Sequence, residues 1–231
     1  MKNNFTFPFL FIFLFSLTAY SQQENGSFGI FSGISLNTNS YDFEFGNSYL
    51  DTSYTNDIKT AFNIGAFVLY DFVKNFGLKF QGQYTNKGGT TKVPGYFGTN
   101  LTAITRTYKN TIHYLQFSLL PQLNLPFDSK AVSNKVYFNA GGYLSAKLSA
   151  TETIDNQTFL QQLIIERDIS NSLTGTDAGV IFSAGVVYSS FMLDIRYDLG
   201  LTNIVDDPNL KDILNIKNRS INFSIGWRRG F

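Results

Sequence analysis

The sequence predicts an all-β protein, an eight-stranded antiparallel β-barrel of up-and-down meander topology. Three observations lead to this prediction. Apolar and polar residues alternate with period two in eight segments, which is the pattern of strands with two unlike faces. These segments, of roughly 11 to 16 residues, are longer than the usual five or six. The connections between them alternate between short and long, so every short turn falls on one rim.

The first 21 residues are predicted to be a cleaved signal peptide, followed by one barrel domain over residues 22–231. Lys2 gives a positive start, residues 5–17 form an apolar run, and small residues precede a cut at Gln22. An uncleaved anchor is the alternative, but the run is short for crossing a bilayer.

Composition excludes several classes of function. The 231 residues include no Cys, so disulfides, thiolate metal sites, cysteine nucleophiles and a lipidated Cys are impossible. Only 15% of residues are charged, and 18 basic residues stand against 17 acidic ones. Removal of Lys2 with the leader leaves 17 of each, and no basic run is present. We therefore expect no nucleic-acid partner.

The eight predicted strands begin, in chain order, near residues 26, 61, 77, 113, 136, 177, 191 and 220. The stretch FMLDIRYDLGL at 191–201 has the clearest alternation. Its odd positions are all apolar, from Phe191 to Leu201, whereas its even positions include three charged residues. Glycines recur within the strands, as expected where a barrel wall bends or backbones crowd.

Three predicted turns are short, near 71–76, 126–135 and 189–191, and four connections are long, near 38–60, 86–110, 150–176 and 202–219. The segment TFLQQLIIERDI in the third long connection fits either a helix or a strand that extends above the barrel. In the fourth, Asp207 and Pro208 fit the cap and first turn of a short helix.

Two barrels fit eight amphipathic strands. A soluble lipocalin-like carrier would turn its apolar rows inward, whereas a transmembrane barrel turns them toward lipid. The apolar rows are large and free of charge over their central spans, and a lipid-facing charge at the midplane costs about 2–4 kcal/mol. Aromatic residues stand near the strand ends, where a girdle is expected: Tyr70, Phe76, Tyr84, Tyr188, Phe191 and Trp227.

The polar rows mix both signs of charge, which suits an interior where buried charges must pair. We therefore predict a transmembrane barrel whose lumen is filled by side chains, since eight strands leave an interior of just that width. The predicted lumen charge network consists of Lys79, Lys147, Asp194, Arg196, Asp198 and Arg228.

Four segments resemble a known family: YDFVKNFGLKFQGQYTNKGG, YLQFSLLPQL, FNAGGYLSAKL and MLDIRYDLGLTNI, in this order. They are similar to the PorT-like outer-membrane β-barrel family of Gram-negative bacteria of the Bacteroidota lineage. Members often carry a Pro where this chain has Ser118, and here Pro121 stands nearby. The resemblance implies an eight-stranded barrel in outer-membrane lipid, and PorT itself is associated with a secretion and gliding machinery. It supplies no catalytic residues.

The last strand also looks like the assembly signal of bacterial outer-membrane barrels, with apolar residues on one parity and an aromatic end. This resemblance implies recognition by the barrel assembly machinery through Phe223, Ile225, Trp227 and Phe231.

Residues for chemistry are few, and no cofactor is expected. NKGGT and NAGGY lack the spacing of phosphate loops, and a single His without Cys rules out zinc spacings. His113 is the one candidate general base for a rim enzyme, a protease or a lipid-modifying protein, against the simpler role of an interfacial strand residue. Two groups of loop carboxylates fit either a divalent cation or solvated loops: Asp42, Glu44, Asp51 and Asp57, and Asp206, Asp207 and Asp212.

The sequence thus predicts a non-enzymatic integral outer-membrane protein with long extracellular loops and a structural or envelope-accessory role. Its expected partners are membrane lipid, the assembly machinery and other envelope proteins that meet the loops. A rim enzyme and a soluble ligand carrier are the alternatives.

Overall fold

The computed structural model describes residues 26–43, 55–73, 75–97, 102–127, 134–157, 162–208, 211 and 214–231. The predicted signal peptide lies outside them. The described residues form one 3-10 turn, Ser170–Ser172, and eleven strands: β1 (Gly26–Phe43), β2 (Thr55–Asp57), β3 (Lys59–Val73), β4 (Phe76–Lys87), β5 (Thr90–Phe97), β6 (Thr102–Pro126), β7 (Lys135–Gln157), β8 (Gln162–Asp168), β9 (Thr176–Tyr188), β10 (Phe191–Gly200) and β11 (Leu214–Gly230).

Eight of the described strands close into a ring. Each pairs antiparallel with its neighbours in the order β1, β3, β4, β6, β7, β9, β10 and β11. The last strand returns to the first, from Ser27 opposite Gly230 to Phe43 opposite Leu214. The predicted eight-stranded meander is therefore confirmed, and every predicted strand start falls within one of these eight strands.

The two faces of the wall are as unlike as the alternation predicts. On β10, Leu193 is 56% exposed and Ile195 57%, whereas Asp194 is 9% and Arg196 4% exposed. The same alternation runs through β4 and the membrane part of β11. The apolar rows thus cover the outside of the barrel and the polar rows line its interior.

The short connections meet at one rim, called here the turn rim, and the opposite end is the loop rim. β9 and β10 are joined through Ser189, which adopts a positive φ of 56°, and Ser190. Aromatic side chains surround the turn rim on the outside, since Tyr70, Phe76, Tyr188, Phe191 and Trp227 are all exposed there. Tyr84 instead lies near the loop rim.

Two of the predicted long loops are built largely of strands. Beyond the barrel wall, β6 and β7 stay paired from Ile112 opposite Ala150 to Thr105 opposite Gln157, about 25 Å along the strands. β5 pairs with the far end of β6, β2 with β5, and β8 with β7. These five strands form a sheet above the loop rim, called here the rim sheet. Within TFLQQLIIERDI, the open choice is decided in favour of a strand for residues 162–168, and residues 158–161 lie outside the described residues.

The predicted ends of these strands came too early, because they were placed where the alternation of apolar and polar residues stops. That alternation stops where lipid stops, whereas β-branched residues such as those of TTKVPGYF and LIIERD favour strands in water as well. At Asp207 the carbonyl accepts from the amide of Lys211 at 2.9 Å, the spacing of one helical turn. Leu214 is already the first residue of β11, and residues 209–210 and 212–213 lie outside the described residues.

Gly88 marks the point where the chain leaves the barrel wall for the rim sheet. Its φ is +118°, a conformation that residues with a Cβ rarely adopt. The amide of Asn110 donates to Gly89 O at 3.0 Å and fixes the bend. Among the described residues, no helix is long and apolar enough to cross a bilayer.

Candidate functional site

The lumen is the candidate functional site, because most of the buried charged side chains among the described residues lie there. Inward positions of the eight strands meet there in three levels between the turn rim and the loop rim. Each level contains charged side chains with named partners.

The level nearest the turn rim combines a charge pair with aromatic packing. Lys135 Nζ lies 3.2 Å from Asp71 Oδ2, and Asn124 donates to the other oxygen of Asp71 at 2.8 Å. Farther in, the ammonium of Lys79 lies 5.0 Å from the ring centre of Phe67 and 5.5 Å from that of Tyr137. Such contacts with ring faces stabilise a cation that is only 3% exposed.

An apolar cluster also occupies this part of the lumen. It consists of Phe31, Phe67, Leu69, Tyr137, Val187 and Met192, all buried. The alternation predicted a polar interior throughout, so the cluster is a departure from it. Two glycines make room for the rings, because a Cβ at Gly65 would lie 2.6 Å from Phe31 and one at Gly29 would lie 2.5 Å from Phe67.

The middle level is centred on Arg196. Its Nε lies 2.8 Å from Asp198 Oδ1, and its Nη1 donates to Gln83 Oε1 at 2.7 Å. Gln116 donates to Asp198 Oδ2 at 3.2 Å and accepts from Ser145. Side chains from four strands therefore cross the lumen at this level.

The level nearest the loop rim is centred on Asp177. Lys87 Nζ lies 3.0 Å from Asp177 Oδ2, and the two side chains are 1% and 0% exposed. Tyr143 and Asn218 donate to the same oxygen at 3.2 and 3.1 Å, and Thr202 donates to the other at 3.1 Å. The Lys87 ammonium also lies 4.1 Å from the ring centre of Tyr143. All the polar atoms of this ion pair are thus engaged by protein.

An apolar cap packs at the loop rim near Asp177, which accepts from Thr202. The cap is formed where residues 169–174 and 202–206 meet. Leu173 and Val205 form a β-bridge, and Thr174 N donates to Ile204 O at 2.9 Å. Ile204 packs with Ile112, Tyr114 and Ala150 in a buried cluster, against which Ile169, Leu173 and Ile216 also lie.

The predicted network is divided among these levels. Arg196 and Asp198 are in direct contact, whereas Asp194 accepts from Tyr137 Oη at 2.8 Å instead. Lys79 lies among rings, and Arg228 lies at the turn-rim end of β11, opposite Gly29 on β1.

Lys147 is not brought into contact with the other five residues. It donates to the carbonyls of Ser170 and Leu173 and so ties β7 to the cap. A register shift next to it, between His113 and Tyr114, moves the parity of β7 by one residue. That shift explains why Ser149 is exposed although its parity predicted an inward side chain.

Sequence reasoning missed Lys87 and Asp177, the most buried ion pair. Lys87 has the inward parity of Lys79 on the same strand, but it stands where the apolar row had ended. Asp177 is the second residue of β9 and the first residue of the predicted strand there, but its carboxylate was not included in the predicted network. Extending the inward row of Lys79 by one pair of residues would have found Lys87.

The candidates for rim chemistry have other surroundings. His113 faces outward, and its Nδ1 lies 2.5 Å from Tyr84 Oη with the two rings stacked. Asp57 pairs with Lys92 at 2.6 Å. No group of three metal-ligating side chains occurs within the described residues. The side chain of Asp42, and all of Glu44, Asp51 and Asp212, lie outside that part of the chain.

Next to the cap, Asp168 holds the start of the 3-10 turn. Hydrogen bonds from the side chain and the backbone amide of Ser170 lower the pKa of Asp168 below its usual range, and the amide nitrogen lies 2.8 Å from Oδ1. Asp168 is therefore a fixed acceptor at the top of β8.

Comparison with known proteins agrees with this architecture. A family model described as outer membrane protein beta-barrel domain matches residues 20–206. No curated protein matches the chain. Solved structures similar to the chain include OprG from Pseudomonas aeruginosa, with 13% identity, a TM-score of 0.46 and coverage of 88% of this chain and 96% of that one.

Two further similar structures are Ail of Yersinia pestis, in complex with the heparin analogue sucrose octasulfate, and the outer membrane protease OmpT from Escherichia coli. Ail has 12% identity and a TM-score of 0.37, and the match covers 89% of this chain and 99% of Ail. OmpT has 10% identity and a TM-score of 0.39, and the match covers 92% of this chain and 99% of OmpT. The family match spans most of the chain and indicates the bacterial outer membrane as its location. The chain belongs to the outer membrane protein beta-barrel domain family.

Proposed function

We propose that this protein is a non-enzymatic, non-conducting barrel that anchors the rim sheet at the bacterial surface. The observation that supports this most directly is the Lys87–Asp177 pair, fully buried beneath the apolar cap. An ion that crosses the lumen would have to separate this pair and the Arg196–Asp198 pair below it. Both separations leave a buried charge uncompensated, which is costly in free energy.

Conductance tests this proposal. Purified barrel in a planar bilayer should give no steady channel, and liposomes that contain it should not swell in small sugars. A double variant with Lys87→Ala and Asp177→Ala, which removes the upper pair together with its side-chain volume, serves as the comparison and should show a higher conductance than the native chain. A steady wide pore in the native protein would contradict the closed lumen.

The non-enzymatic part of the proposal rests on the surroundings of His113. Among the described residues its hydrogen-bond partner is a tyrosine, not a carboxylate that would orient it as a base. His113→Ala should leave every envelope-associated hydrolytic or acyl-transfer activity unchanged. Loss of such an activity in this variant, with heat-modifiable migration on a gel intact, would establish the rim enzyme instead.

For the role at the surface, we propose an adhesive or envelope-accessory function carried by the rim sheet. This proposal is supported by β6 and β7, which both continue from the barrel wall into the rim sheet and stay paired there beyond the register shift at His113. The resemblance to the PorT-like family adds secretion and gliding as processes to examine. A deletion strain that is complemented by the native chain, but not by one in which residues 90–108 and 152–168 are replaced by short turns, would support this role.

We also propose that β11 carries the signal for assembly. Phe223, Ile225 and Trp227 are exposed on the outer wall, and the amide of Phe231 donates to Gly26 O at 3.0 Å. Photo-crosslinkers at positions 223 and 227 should capture the assembly machinery during insertion, whereas a crosslinker at the inward position 222 should not.

A further inference from the structure

Two cations stand on the outer wall of the barrel just above the apolar belt. On β11 the outward parity runs through the exposed residues Trp227, Ile225, Phe223 and Ile221 and continues as Arg219 and Lys217. Arg219 is exposed and Lys217 half-buried. These two positions therefore lie at the level where the hydrocarbon ends on the side of the loop rim.

The strand register defines the surroundings of these cations. Arg219 lies opposite Leu199 on β10 and Thr38 on β1, and Lys217 lies opposite Ser40. Below them, Ile221 lies between Tyr197 and Leu36. The surface thus has hydroxyl groups beside the cations and apolar side chains beneath them.

Neither cation is used by the fold as described. The five ion pairs found among the described residues leave out both Arg219 and Lys217. Asp42 is the nearest acidic position on this face in the register, and its backbone pairs with Asn215, one step farther from the belt than Lys217. Within the described residues, Arg219 and Lys217 thus carry two charges that no protein carboxylate neutralises.

We propose that Arg219, with Lys217, binds the phosphate of a phosphorylated lipid in the leaflet at the loop rim. The guanidinium presents paired N–H donors that match two phosphate oxygens. Lys217 adds a second positive charge, and the acyl chains of the same lipid lie on Ile221, Tyr197 and Leu36. A soluble anion would make only the polar half of these contacts.

The same strand supplies a matched control. Arg229 is also outward and exposed, but it lies at the turn rim, opposite Phe28. Arg229→Gln removes the same charge from the same face of β11 at the other end of the belt. A non-specific attraction between exposed cations and an anionic lipid would weaken equally in either variant.

The experiment measures binding of lipid A to the full barrel in detergent micelles by native mass spectrometry, with bisphosphorylated and dephosphorylated forms. Each cation near an anionic surface is worth about fivefold in affinity. Arg219→Gln with Lys217→Gln should therefore weaken binding of the bisphosphorylated form about 25-fold, Arg219→Lys by less than fivefold, and Arg229→Gln not at all. The dephosphorylated form should bind all variants equally weakly.

Three results would overturn the proposal: native affinity in the double variant, an equal loss in Arg229→Gln, or displacement of the lipid by an equal concentration of inorganic phosphate. Heat-modifiable migration on a gel establishes that each variant is folded. This experiment does not measure conductance, so the proposal of a lipid site and the proposal of a closed lumen are tested independently.

Discussion

Asp177 offers the sharpest test of whether the lumen is dry. In Asp177→Asn the side chain keeps its shape, but Lys87 loses the carboxylate 3.0 Å away while it remains 1% exposed. Breaking a buried ion pair by removing one partner destabilises a protein by about 3–5 kcal/mol, because a buried charge is left uncompensated. We expect a loss near the lower end of this range, since the Asn oxygen still accepts from Thr202, Tyr143 or Asn218.

The exposed pair between Lys92 and Asp57 is the internal control. Its atoms lie 2.6 Å apart, but the side chains are 48% and 37% exposed. Lys92→Gln should therefore cost only about 0.2–1 kcal/mol. The free energy of unfolding is measured by urea titration in lipid vesicles, with fluorescence of Trp227, the single tryptophan, as the signal.

A double variant separates charge from packing. Lys87→Met combined with Asp177→Asn removes both charges, so its loss should be smaller than that of Asp177→Asn alone. If Asp177→Asn lowers the free energy of unfolding no more than Lys92→Gln does, water reaches the Lys87–Asp177 pair. The lumen would then not be closed at the level nearest the loop rim.

Three further predictions concern other parts of the chain. Leu193→Arg places a charge in the belt and should reduce the free energy of unfolding in vesicles by about 2–4 kcal/mol, whereas Leu193→Phe should leave it nearly unchanged. In Gly185→Ala the new Cβ meets the ring of Tyr137 and lies 2.5 Å from Leu193 O, so a loss of about 1–3 kcal/mol is expected, and a neutral result would show that the ring moves freely. Because the pKa of Asp168 is lowered in the folded protein, its stabilising effect is present above the ordinary value near 4 and is lost as the pH falls through the lowered one. Protection of the Ser170 amide against hydrogen exchange should therefore decrease in the native chain as the pH falls through this range. In Asp168→Asn the protection should not depend on pH.

The sequence predicts the barrel wall well because lipid imposes a strict rule on one face. A charge on the row of Leu193 and Ile195 is costly wherever it stands in the belt, so the pattern is clean and the strand positions can be read from it. Beyond the belt no such rule applies: on β8 of the rim sheet the consecutive residues 164–168 are all exposed, without alternation. The ends of β6 and β7 were missed for this reason.

The sequence predicts which side chains point into the lumen, but it does not predict which of them are in contact. Parity brings Lys79, Asp194, Arg196 and Asp198 inward, yet it does not say which inward residues of distant strands lie at the same height. That depends on strand tilt and register, including the shift between His113 and Tyr114. Asp194 therefore meets Tyr137 instead of Arg196, and Lys147 meets the cap.

The pairing of β1 with β11 has a consequence for biogenesis. The first barrel strand to be made finds its second neighbour only when the final 17 residues of the barrel have been synthesised. Until then both outer strands have bare edges, which are templates for aggregation. Any pairing of strands before the ring closes therefore leaves the chain open to aggregation until β11 meets β1. Gly26 and Phe231 lie side by side. A circular permutant that joins these two residues and opens the chain within a long loop would therefore move the last strand pairing to another pair of strands, and the completed barrel would be unchanged.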